Sequence, residues 1–202
     1  MPVGNLLVRY KSGAFEAVWR DIRSLGDIDG DLRAEVFEVA EETMRRVARN
    51  ADVITERLGA LGWRALMGKL QTSPSADDAR QFGRIESITG GPLPPSLRAF
   101  WTIVGGIDCV WDYKCDQPLP ELGVDLLMDE MDPLCVDPAS VVGYLFEEWE
   151  EQRRQRDPDL VEPFRLSLAP DYLHKANISG GAAYTIELPF FSSLRGRSHI
   201  RL

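Results

Sequence analysis

Cysteine and histidine are both scarce in this chain of 202 residues, which holds three cysteines and two histidines. Cys109, Cys115 and Cys135 are odd in number and too few for a disulfide framework, which fits a reducing cytoplasm. Their spacing contains no C-x-x-C pair, and His174 and His199 lie far from them in sequence. The composition therefore argues against a structural zinc site, and we expect the cysteines to be small buried side chains.

Long hydrophobic runs and an excess of basic residues are also absent. The most apolar stretch, 99–107, is stopped by Arg98 and Asp108, well short of the roughly 18 residues that a membrane span needs. The amino terminus has neither a basic start nor a small-residue cleavage site, so we expect it to be unprocessed. The net charge is −9, which argues against binding to a nucleic acid phosphate backbone. We expect a soluble cytoplasmic protein without a membrane or nucleic acid partner.

Known catalytic motifs are missing as well. The chain has no G-x-S-x-G sequence, no P-loop and no dinucleotide-binding fingerprint. A cysteine paired with His174, or the carboxylates of Asp112 and Asp116, would supply catalytic groups only if the fold brought them together in a cleft. We therefore predict that the protein is not an enzyme and binds no cofactor, and we keep a carboxylate hydrolase as the least favoured alternative.

What the sequence does contain is one strongly acidic segment. Residues 108–137 hold nine acidic side chains and one basic side chain, Lys114, and so carry −8 of the net −9. A charge run of this kind is usually a solvated loop. A divalent metal site is a second reading, but Asp108, Asp112 and Asp116 do not have calcium-loop spacing, and we predict no metal there.

A third reading of the acidic segment is a docking surface for a basic protein. Aromatic, leucine and methionine side chains alternate with the acids, and such apolar anchors surrounded by charge are typical of protein interfaces, although they would also suit core-facing strand positions. We predict that the partner-binding residues are Asp108, Trp111, Asp112, Asp116, Asp125, Asp129, Glu130 and Asp132.

The first third of the chain reads as helical. Apolar residues recur every three or four positions over 15–25 and again over 32–61, although Asn50 and Asp52 are candidate points for a kink or break. We expect these helices to pack within the chain, because a long helix with one apolar face needs a partner surface. Glycine, serine and proline near 70–75 mark a boundary, so we predict a helical extension over 1–72 and a core over 73–202.

The rest of the chain mixes helices and strands. Helices are predicted before Gly90, after Pro95 and over 138–156, the last with Val141, Val142, Leu145, Phe146 and Trp149 buried. Strands are predicted over 107–113, 132–136, 164–168 and 183–188. Helices followed by strands with one inserted helix predict an α+β fold with an antiparallel or mixed sheet and flanking helices.

The segment RIESITGGPLPPSLRAFWTIVGGID, which begins at Arg84, resembles the opening motif of the SUKH superfamily. In that motif an amphipathic helix, a Leu-Pro turn, a helix with an embedded phenylalanine and a Gly-Gly exit lead into the first strand. The matching positions are Ile85, Ile88, Leu93, Pro94, Phe100, Gly105 and Gly106.

The resemblance covers about 25 residues closely and the order of elements more weakly to about residue 190. It implies an α+β domain of a type used by bacterial immunity proteins, which bind and neutralise toxins of competing cells. Many of these toxins are nucleases or other basic effectors, and the family shares no catalytic set. The hypothesis is thus a toxin-neutralising immunity protein. The alternative is a regulatory protein-binding scaffold that acts through the amino-terminal helices.

Overall fold

The structure is a computed structural model, and it describes residues 5–26, 28, 30–66, 68–89, 91–112, 134–155, 164–167 and 185–187. These residues form an α+β fold in which helices flank a small antiparallel sheet, as the sequence predicts. The helices are α1 (Leu6–Lys11), α2 (Phe15–Ser24), α3 (Gly30–Ala60), α4 (Ala76–Thr89), α5 (Pro95–Ala99) and α6 (Ala139–Gln155). The strands are β1 (Gln71–Thr72), β2 (Gly106–Asp108), β3 (Cys135–Val136), β4 (Arg165–Ser167) and β5 (Thr185–Glu187).

The amino-terminal helices have a small hydrophobic core of their own. Helices α1 and α2 pack against the first half of α3, and α1 is a helix that the sequence pattern did not predict. The guanidinium of Arg46 lies 4.7 Å from the ring centre of Phe15 and donates to Glu42 at 2.9 Å. This core consists of Leu6, Tyr10, Val18, Ile22, Val36 and Val39.

Helix α3 is continuous over 31 residues, so the candidate break at Asn50 and Asp52 does not occur. It packs against α1 on one side and against α5 and the turn that follows α5 on the other. Intramolecular packing of the long helix is therefore what the structure shows. The boundary between residues 72 and 73 stays a prediction. It falls directly after β1, a strand that the sequence did not predict.

The sheet has the order β1-β2-β3, with both pairs antiparallel. Gly105 turns the chain into β2 with a φ of 82°, and a Cβ at this position would lie 2.0 Å from the Thr72 carbonyl oxygen. Only glycine tolerates both the positive φ and this close approach. The separate pair β4–β5 is also antiparallel, with Leu166 opposite Ile186, and it agrees with two of the predicted strands.

The segment with SUKH-like sequence forms a helix, a turn and a second helix. The Glu86 carboxylate closes the turn by accepting from the Leu93 amide at 3.0 Å and from Arg98 at 2.8 Å. The sequence predicts one helix up to Gly105. In the structure the α-helix ends at Ala99, and residues Phe100–Val104 form a π-helical turn. A π turn is set by i→i+5 backbone bonds, which leave no signal in apolar periodicity.

A second core lies between α4, α6, the π turn and β4. Its largest fully buried side chains include Trp101 and Phe146. The prediction that Val141 and Leu145 face this core is wrong, since their side chains are 42% and 48% exposed. The buried side of α6 instead includes Ala139 and Gly143, whose small size permits close approach to α4; the Gln81 side chain lies against Gly143.

None of the described helices combines the length and apolarity that crossing a bilayer requires.

Candidate partner-binding surface

Three of the eight predicted partner-binding residues lie within the described part of the chain, and they are close together at one end of the sheet. These are Asp108, Trp111 and Asp112. The remaining five, Asp116, Asp125, Asp129, Glu130 and Asp132, lie outside the described residues.

The Asp108 side chain is engaged within the sheet. Its Oδ1 atom accepts a hydrogen bond from the Val110 amide at 2.8 Å and lies 3.5 Å from the Cys135 sulfur, directly across from it in the β2–β3 pair. A carboxylate that bonds the amide two residues later ends regular strand pairing at this point. Asp108 thus has a structural role, which the charge count alone did not indicate.

The two described cysteines differ in their surroundings. Burial, together with the negative charge of Asp108, raises the pKa of the Cys109 thiol, which keeps the thiol protonated at neutral pH. Cys135 lies opposite Asp108 in the sheet, and strand alternation places Cys109 on the other face. Both thiols are only half buried, so the expectation of buried cysteines is wrong for these two; Cys115 lies outside the described residues.

Trp111 and Asp112 follow β2 without belonging to it and are held by main-chain contacts with residues 64–66. The Asp112 amide donates to the Arg64 carbonyl at 2.8 Å, and the Leu66 amide donates to the Val110 carbonyl at 2.9 Å. Between these bonds, Ala65 pairs with Trp111 in an antiparallel bridge. Main-chain bonds therefore hold the described start of the acidic segment against residues 64–66, with Trp111 and Asp112 half buried.

A cleft of about 490 Å³ opens beside Asp112, between Thr55 of α3 and the chain that follows this helix. Trp63 on its wall is half buried, whereas Leu66 and Lys69 are exposed. The lining residues are Thr55, Trp63, Arg64, Ala65, Leu66, Gly68, Lys69 and Asp112.

The charges in this cleft are mixed. Arg64 and Lys69 line it together with Asp112, so this described acid lies on a surface with two basic side chains. Among the acids of 108–137, Asp108 bonds within the sheet, and six others lie in 113–133, outside the described residues. In the described part of the chain, the surface at the cleft therefore carries two basic side chains and one acidic side chain beside apolar ones.

Sequence reasoning missed the cleft residues. The glycines from Gly59 to Gly68 predict only a helix end followed by a linker, because they interrupt the apolar pattern. Trp63 is the one signal that was present, since a large aromatic residue in a linker needs a surface to cover it. The residues that pair with this stretch, Trp111 and Asp112, however, lie far along the sequence from it.

Groups suited to metal binding do not assemble in the described parts of the chain. No set of three or more histidine, cysteine, aspartate or glutamate side chains is placed there to hold an ion. Both histidines, and Asp116 of the alternative carboxylate pair, lie outside those parts.

Comparison of the chain with known protein families, with curated proteins and with solved structures finds no match.

Proposed function

We propose that this protein is a cytoplasmic immunity protein that binds and neutralises a basic effector, such as a nuclease, used in competition between bacteria. It acts by binding rather than by catalysis, and it requires no cofactor. The observation that carries the proposal is the concentration of −8 of the net −9 charge in 108–137. The resemblance of the segment from Arg84 to Asp108 to the SUKH motif supports the biological role.

The acidic segment concentrates charges of one sign, and their mutual repulsion favours a positively charged partner. Nine acids within thirty residues repel one another, so the folded state tolerates them only if they face water or a positive surface. A basic partner relieves this repulsion and is steered towards the segment during diffusion. The main-chain bonds of residues 110–112 with residues 64–66 support the proposal, because they hold the start of the acidic segment against the folded chain.

The test is recovery of the partner and inhibition of its activity. Tagged protein is purified from its native cells at low salt and washed with stepwise increases in salt, and released proteins are identified by mass. We expect one basic protein in equimolar amount, whose toxic activity is inhibited when this chain is added back. A recovered partner that is acidic, or whose activity is unaffected, would contradict the proposal.

Charge reversal locates the contact. Changing Asp112, Asp116 and Asp129 together to Lys should weaken partner binding more than tenfold, because the electrostatic attraction becomes repulsion. The matched control changes three exposed acids elsewhere, Glu16, Glu38 and Glu148, to Lys. Equal affinity in the two triple variants would remove the acidic segment from the interface.

A second candidate function is a regulatory scaffold that binds a protein through the amino-terminal helices. The observation that favours it is the exposure of Val8, whose side chain is 64% accessible on α1. Deleting residues 1–70 is not a clean test, because α3 packs on α5 and its removal uncovers the core. Val8→Asp is cleaner, since it should abolish scaffold binding while leaving binding by the acidic segment unchanged.

A further inference from the structure

We draw no further inference here: the strongest candidate, the outward face of α6 on which Val141, Tyr144 and Leu145 are exposed, is an apolar patch on the side of the helix away from the core, and nothing in the structure shows what covers it.

Discussion

The carboxylate of Asp78 joins the start of α4 to the start of α6 by accepting a hydrogen bond from the Ser140 amide at 2.7 Å. Its second oxygen accepts from the Ser75 amide at 2.7 Å and from the Ser75 hydroxyl at 2.8 Å. The residue is only 2% exposed. One side chain thus caps two helices whose first turns are more than sixty residues apart in sequence.

Asp78→Asn should lower the free energy of unfolding by about 2 kcal/mol. The asparagine side chain has only one acceptor oxygen, so one of the two backbone amides that donate to Asp78 loses its acceptor in a buried site. Denaturant titration measures the change. The control is Asp77→Asn next to it, where the exposed carboxylate pairs with Arg80 on the same helix and contributes about 0.5 kcal/mol or less. Equal losses in the two variants would contradict the bridging role.

Asp78 also makes stability depend on pH. Burial acts to raise its pKa, but the hydrogen bonds from Ser75 and Ser140 outweigh burial and hold the pKa below its ordinary value of 3.8. The folded state therefore binds this proton more weakly than the unfolded chain does. The resulting stabilisation is fully present above the ordinary pKa and is lost as the pH falls through the lowered pKa. Acid unfolding curves should be less steep below about pH 4 in Asp78→Asn than in the unaltered protein.

Gly105→Ala should be among the most damaging single substitutions. The added Cβ would lie 2.0 Å from a backbone oxygen, which cannot move without displacing β1. Gly68→Ala is the matched control, because Gly68 has a similar φ of 78° but open space around it. The control should cost about 1–2 kcal/mol from the left-handed backbone alone, and Gly105→Ala distinctly more. Thermal unfolding of both proteins measures the difference, and equal losses would show that the close approach is not there.

Arg84 connects α4 to two glutamates of α6, and the two pairs should differ in strength. It lies 2.8 Å from Glu150 and 2.5 Å from Glu147, whose side chains are 15% and 51% exposed respectively. Double-mutant cycles with Arg84→Met should give a coupling of about 1 kcal/mol with Glu150→Gln and about 0.3 kcal/mol with Glu147→Gln, because solvent screens the exposed pair more strongly. A larger coupling with Glu147 would contradict this ranking.

Association with the proposed basic partner should depend steeply on salt. Raising the ionic strength from about 0.01 M to about 1 M shortens the screening length from about 30 Å to about 3 Å, which removes long-range steering. The association rate should fall by roughly tenfold or more, whereas the dissociation rate changes little. Stopped-flow measurement with the recovered partner decides this, and a salt-independent rate would exclude electrostatic steering.

Much of the local structure could be predicted from the sequence. The boundaries of α2, α3 and α6 and the end of α4 fall within about two residues of the predicted ones, because apolar spacing, glycine and proline act over a few residues. The presence of strands near 107, 135, 165 and 185 also follows from the sequence, whereas the choice between an antiparallel and a mixed sheet was left open and the structure shows antiparallel pairs. The site was less accessible to prediction, since five of its eight residues lie outside the described structure and one of the rest, Asp108, is engaged within the sheet.

The chain's own sequence determined α2, α3, α6 and the end of α4, and where the negative charge lies, because these depend on neighbouring residues and on composition. Only the tertiary structure decided which side of α6 is buried, that Asp78 caps a distant helix, and that Trp63 and Leu66 lie beside Asp112. Those features depend on contacts between residues separated by tens of positions, and no local pattern encodes such a pairing.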